Sequence, residues 1–126
     1  SAQKSGEPGS SLLNTAKGLE YSDNDPDFYR ELLRLFTEEA PKSLERLSSA
    51  LADNDLELYT TLVHGLKNNA RGIGADSAGE LCFEAEQTAR AGNAAPLPEL
   101  HSKIEQAITE AAAEAARLSE AEKITQ

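Results

Sequence analysis

At 126 residues the chain is one domain, long enough for a single core. With 22 acidic against 12 basic residues its net charge is −10, which argues against a nucleic-acid backbone as ligand and offers no basic patch to anionic lipid. No apolar run reaches the roughly 18 residues of a membrane span, no secretory leader pattern is visible, and the single cysteine, Cys82, excludes an internal disulfide.

What remains is compatible with a soluble, cytoplasmic protein or with a basic partner, and a chain rich in Ala, Leu and Glu, with few aromatics and no Trp, makes an all-helical fold the first expectation. Residues 1–11 are rich in Ser and Gly and lack apolar periodicity, so they read as a flexible linker or tail. The absence of any Met, even at the start, reads as a processed chain or a piece of a longer one joined through this tail. The folded domain is expected over residues 12–122. A short helix starts at Asn14 as N-cap and reaches Tyr21, with Leu13, Ala16, Leu19 and Leu12 as its candidate core contacts. Asp25-Pro26 opens a second helix, with Asp25 as cap and Pro26 at the first helical position. Its stripe reads Phe28, Leu32, Leu35 and Phe36 before Pro41, and Leu44, Leu47 and Leu51 after it. The second half is rotated by very roughly 90° on a 3.6-residue wheel, which a kink at Ala40-Pro41, or two helices meeting there, explains. The lack of turn residues favours the kink.

Asp53-Asn54-Asp55 is a turn, and Asp55 caps a third helix over about Leu56 to Gly72, ended by Gly74. Tyr59, Leu62, Val63, Leu66, Ala70 and Ile73 share its inner face. A fourth helix begins with a Ser77/Glu80 capping box or with Asp76 as cap, buries Ala78, Leu81, Cys82, Ala85 and Ala89, and ends near Gly92-Asn93. A last helix runs from about Pro98 past Leu118, with Leu100, Ile104, Ala107, Ile108, Ala111 and Leu118 inward. Short connections make neighbours antiparallel, so the expected fold is an up-down-up-down four-helix bundle with a short extra N-terminal helix.

Chemistry narrows quickly. There is no phosphate-binding glycine loop and no dinucleotide fingerprint, and Gly72-Ile73-Gly74 follows a helix rather than a strand. Two histidines and one cysteine make no zinc site without carboxylates, and no Glu-x-x-His pair serves a di-iron bundle. The many carboxylates read as solvated faces. Cys82 and Tyr29 read as packing residues and His101 as structural. His64 stands apart. It lies roughly 150° from the centre of the third helix's apolar stripe, on the side shared by Lys67, Asn68 and Arg71. An exposed imidazole with one free ring nitrogen is a nucleophile near neutral pH, and neighbouring cations stabilise the phosphoryl group it can accept. Gly65 leaves one flank open. The bland alternative is a solvated basic strip on an acidic bundle.

His64-Gly65-Leu66-Lys67, followed by Ala70 and Ile73-Gly74-Ala75, resembles the signature of histidine-containing phosphotransfer (HPt) domains, which carry phosphoryl groups between receiver domains in bacterial phosphorelays. Phe28 to Leu33, Phe36 and Ala40-Pro41 look like that family's long second helix, and Leu51 to Asp55 like its following turn. The likeness covers about Leu13 to Gly92. It implies His64 as phosphoacceptor through Nε2, Lys67 steadying the phosphoryl group, and a receiver docking near Thr60, Thr61, Asn68 and Arg71. It also implies a monomer with no cofactor of its own, Mg²⁺ held by the partner receiver, and a sensor histidine kinase as a further candidate partner. One departure stands out. The family usually has glycine or another small residue after the lysine, and here Asn68 either crowds the receiver's approach or donates to the phosphoryl group. The competing expectation is a helical docking module that binds a receiver or kinase without phosphotransfer.

Overall fold

The computed structural model describes residues 12–121, so the tail expected over residues 1–11 lies outside it. Five helices follow in order: α1 (Thr15–Tyr21), α2 (Pro26–Ala52), α3 (Leu56–Gly72), α4 (Asp76–Arg90) and α5 (Leu97–Ser119). Helices α2 to α5 form the expected all-α bundle. Each packs mainly on its neighbours in the ring α2–α3–α4–α5, and the short links make successive helices antiparallel. Helix α1 is the short extra element, and it rests on α2 and α3 where α2 begins and α3 stops. Among the described residues no helix is long and apolar enough to cross a membrane.

Local chemistry sets most boundaries. Asn14 Oδ1 accepts from Lys17 N at 3.1 Å, Asp25 Oδ1 from Asp27 N at 3.0 Å, and Asp55 Oδ1 from Leu58 N at 3.1 Å, so three helices start on side-chain caps. Helix α4 differs from expectation. Neither Ser77 nor Asp76 caps it; Ala75 holds the N-cap position without a side-chain hydrogen bond. Gly74 takes φ +89°, and the Ala75 N–H turns back to Ala70 O at 2.8 Å to close α3. The chain therefore enters α4 one residue early, and Asp76 is left to pair with Lys17 of α1 at 3.1 Å.

Helix α2 corrects a second expectation. It is one helix through Pro41, the alternative favoured over two helices, but its buried stripe does not shift there. Its buried residues are Tyr29, Leu33, Phe36, Ala40, Leu47 and Ala50. Those positions repeat on a 3.5-residue seam along the whole helix, the spacing of antiparallel bundle packing. Phe28 and Leu35, expected inward, are exposed, and Leu32 is only half-buried. Pro41 sits on the solvent side, where its missing N–H removes one helical bond without a buried vacancy.

Tyr29 explains why the other stripe won. It is fully buried, and its hydroxyl donates to Ile73 O at 2.8 Å, tying the start of α2 to the end of α3. Helix α1 closes over its ring: a Cβ on Gly18 would lie 2.4 Å from Tyr29 Cε1, so only glycine allows this approach. Docking through Gly18, with Leu13 and Leu19 buried, leaves Ala16 and Leu12 exposed, contrary to expectation. The inner face of α3 is as expected, with Leu62 the only part-buried member. Cys82 is a core residue. His101 is structural: Tyr59 Oη lies 3.0 Å from its Nδ1 and Ser48 Oγ 3.0 Å from its Nε2, which satisfies both buried ring nitrogens.

Replacing Tyr29 with Phe keeps the ring but orphans the Ile73 carbonyl. Stability in urea unfolding should fall by about 1–2 kcal/mol with the helical content unchanged. An unchanged unfolding midpoint would remove this bond from the account.

Candidate functional site

With Tyr59, Val63, Leu66 and Ala70 packed inward, the period of α3 turns His64 outward toward α4, and its side chain is 51% exposed. The ring does not float free. Its Nδ1 lies 2.7 Å from Oε2 of Glu86 in α4, and Glu86 is buried, with only 2% exposure. Lys67 Nζ donates to Glu86 Oε1 at 2.7 Å, and Arg90 Nη2, one turn further along α4, donates to Oε2 at 2.9 Å. One carboxylate thus takes three charge-assisted donors from two helices.

Burial alone would push the Glu86 carboxyl up. The hydrogen bonds from Lys67 and His64, with the Lys67 charge, outweigh it and hold the group at about 2. Glu86 is therefore ionised at neutral pH and can only accept. A 2.7 Å contact to an acceptor assigns the proton to His64 Nδ1. The neutral ring then carries its lone pair on Nε2, the outward nitrogen. Asn68 Nδ2 lies 3.3 Å from that atom.

The sequence-predicted residues separate into a cluster and its rim. His64, Lys67 and Asn68 meet around one imidazole. Lys67, expected as an exposed cation, is mostly buried: its ammonium is clamped by Glu86 and lies 5.4 Å from the centre of the Phe83 ring. Arg71 lies over the same ring at 5.7 Å and 3.5 Å from Glu80. Thr60 and Thr61 bond back to the carbonyls of Leu56 and Glu57 and, with Ala89 and Arg90, line a shallow depression. Gly65 leaves open space, since a Cβ there would meet nothing within 4 Å. On the other side of Asn68 a groove of about 210 Å³ runs between α2 and α3, lined by Leu32, Leu35, Phe36, Leu66 and Asn68 among others.

Glu86 and Arg90 went unread in the sequence. The signal was present: Glu86 falls four residues after Cys82 and one after Ala85, inside the apolar stripe of α4. A carboxylate at such a position requires a buried partner. Counting it among solvated acidic residues hid the site's central group.

One imidazole, anchored at Nδ1 by Glu86 and with Nε2 on the outer side beside Asn68, thus stands on a bundle of antiparallel helices. The chain belongs to the Hpt domain family, whose model matches residues 31–114. Its fold is similar to that of histidine-containing phosphotransfer protein B from Pseudomonas aeruginosa, with a TM-score of 0.80 and 22% identity over 88% of this chain and 96% of that one. It is likewise similar to the HPt domain of a sensor hybrid histidine kinase from Shewanella, with a TM-score of 0.79 and 19% identity over 89% of this chain and 97% of that one. No curated protein sequence matches the chain at a significant level.

Two outcomes follow from the Glu86 cluster. A carboxyl held at about 2 instead of 4.5 adds stability that is complete above pH 4.5 and is lost as pH falls toward 2. Urea unfolding across that window should therefore steepen in the wild type and flatten in Glu86→Gln; equal slopes would contradict the ion cluster. Removing the ammonium with Lys67→Met should cost about 3 kcal/mol, because a buried charge loses its nearest partner. Lys67→Met with Glu86→Leu together should cost less than Lys67→Met alone, read by the same unfolding measurement.

Proposed function

We propose that the chain is a phosphocarrier in which His64 Nε2 accepts a phosphoryl group from an aspartyl phosphate of a receiver domain and passes it to another receiver. The observation that carries the reading is the anchored imidazole: Nδ1 fixed on Glu86, Nε2 facing out. As Nε2 attacks, its lone pair forms the N–P bond, and the P–O bond to the aspartate breaks with its electrons staying on the carboxylate. The ring keeps its Nδ1 proton and becomes cationic. Glu86 is placed to stabilise that charge, and a protonated ring is the better leaving group for onward transfer. Lys67 and Arg90, both held to Glu86, set positive charge beneath the incoming phosphoryl oxygens. The rest is positioning.

The receiver, supplying its own Mg²⁺, lands on the face bounded by Thr60, Thr61, Asn68 and Arg71. Exposed Leu35, which lines the α2–α3 groove, offers it apolar contact. The cations around His64 give an otherwise acidic surface a local attraction for an acidic receiver site. The chain acts in the cytoplasm as a monomer, without a cofactor of its own and without autonomous kinase activity. Exchange with a sensor histidine kinase is the further partnership this reading allows. One observation favours the competing docking module: Asn68 covers Nε2 at 3.3 Å.

Incubation with a phosphorylated receiver decides between them. Acid-labile, alkali-stable label on the wild type and none on His64→Gln is the expected result. Binding of receivers without label would establish the docking module instead.

A further inference from the structure

Asn68 stands where the nucleophile has to open. With the proton of the neutral ring on Nδ1, Nε2 presents only a lone pair, so the 3.3 Å contact has the Asn68 amide donating into it. The same lone pair must point at phosphorus for in-line attack. A donor seated on it and an incoming phosphoryl group exclude one another. Asn68 is exposed, so its side chain has room to change rotamer. It also lines the α2–α3 groove, one face of which carries the exposed Leu35. The groove and the nucleophile thus share one side chain.

We propose that Asn68 is a positioning residue that shields His64 Nε2 at rest, yields when a receiver occupies the α2–α3 groove, and then donates to a phosphoryl oxygen on Nε2. The inference rests on the phosphocarrier reading and adds to it a regulated nucleophile. In the resting state the amide hydrogen bond lowers the availability of the lone pair. In transfer that bond is released, the N–P bond forms, and the aspartyl P–O bond breaks with its electrons on the carboxylate. In the product the amide N–H meets an anionic oxygen, a stronger acceptor than the ring nitrogen. Asn68 therefore slows entry of the phosphoryl group and lengthens its stay.

The test compares the wild type with Asn68→Ala, a change at an exposed helical position that keeps the fold and raises helix propensity. Two readouts are taken. The first is the ¹⁵N resonance of His64 Nε2 in the unphosphorylated protein, recorded without any phosphodonor at a pH where the ring is neutral. It should move from the position of a hydrogen-bonded unprotonated nitrogen toward that of a free one. The second is transfer from a phosphorylated receiver, which should speed up about fivefold, while the phosphohistidine lifetime shortens by a similar factor, the size one modest hydrogen bond confers. An unmoved Nε2 resonance, or an unchanged rate and lifetime, overturns the role of Asn68 and leaves the phosphocarrier reading standing. Absence of label in both proteins overturns the phosphocarrier reading, while the resonance still reports whether Asn68 caps Nε2.

Discussion

The site depends on one buried carboxylate. Glu86 sits almost without solvent between α3 and α4 and receives Lys67, His64 and Arg90 on its two oxygens. Each contact does something different. Lys67 makes the burial of a negative charge tolerable. Arg90 closes the cluster at its exposed rim. His64 is the one member that gains a chemical property, because the carboxylate fixes its proton on Nδ1 and so leaves the lone pair of the neutral ring on Nε2. A surface histidine without that partner would divide its population between two tautomers and several rotamers. The buried acid makes one of them dominant.

The bundle supplies the stiffness this arrangement requires. Helix α3 buries Tyr59, Val63, Leu66 and Ala70, so it cannot rotate and carry His64 away from α4. The α3–α4 turn is fixed from outside: Tyr29 holds Ile73, Asn14 holds Gly74, and Lys17 holds Asp76. At the opposite end of α3, the Tyr59–His101–Ser48 chain ties α3 to α5 and α2 through fully satisfied polar groups. Both ends of the helix that bears His64 are therefore pinned by directional bonds, with the candidate site between them.

Much of this was legible in the sequence. The bounds of α3, its Asp55 cap and Gly74 stop, and the outward placement of His64 follow from local rules that the fold leaves intact. The misreadings share a cause. On α2 two apolar stripes lie side by side, and a one-dimensional pattern does not say which faces the core. The choice fell to the buried Tyr29 hydroxyl and its partner 44 residues away. The shift of stripe that a kink at Pro41 was to explain is absent, because one 3.5-residue seam runs through it. Asp76 was drawn from its capping role by Lys17, 59 residues distant. Glu86 was hidden for the same reason: its partners Lys67 and His64 belong to another helix, and only packing brings them together. The resemblance to HPt domains singled out His64, and the three-dimensional structure shows what orients its ring.

The proposed transfer turns on one atomic assignment, the phosphoryl group on Nε2 while Nδ1 keeps its proton against Glu86. Locating it directly by ³¹P–¹⁵N correlation on the receiver-phosphorylated protein is the most direct measurement. The expected spectrum couples phosphorus to Nε2 of His64 and shows a protonated Nδ1. Phosphorus coupled to Nδ1, or no phosphorus on His64 at all, would contradict it.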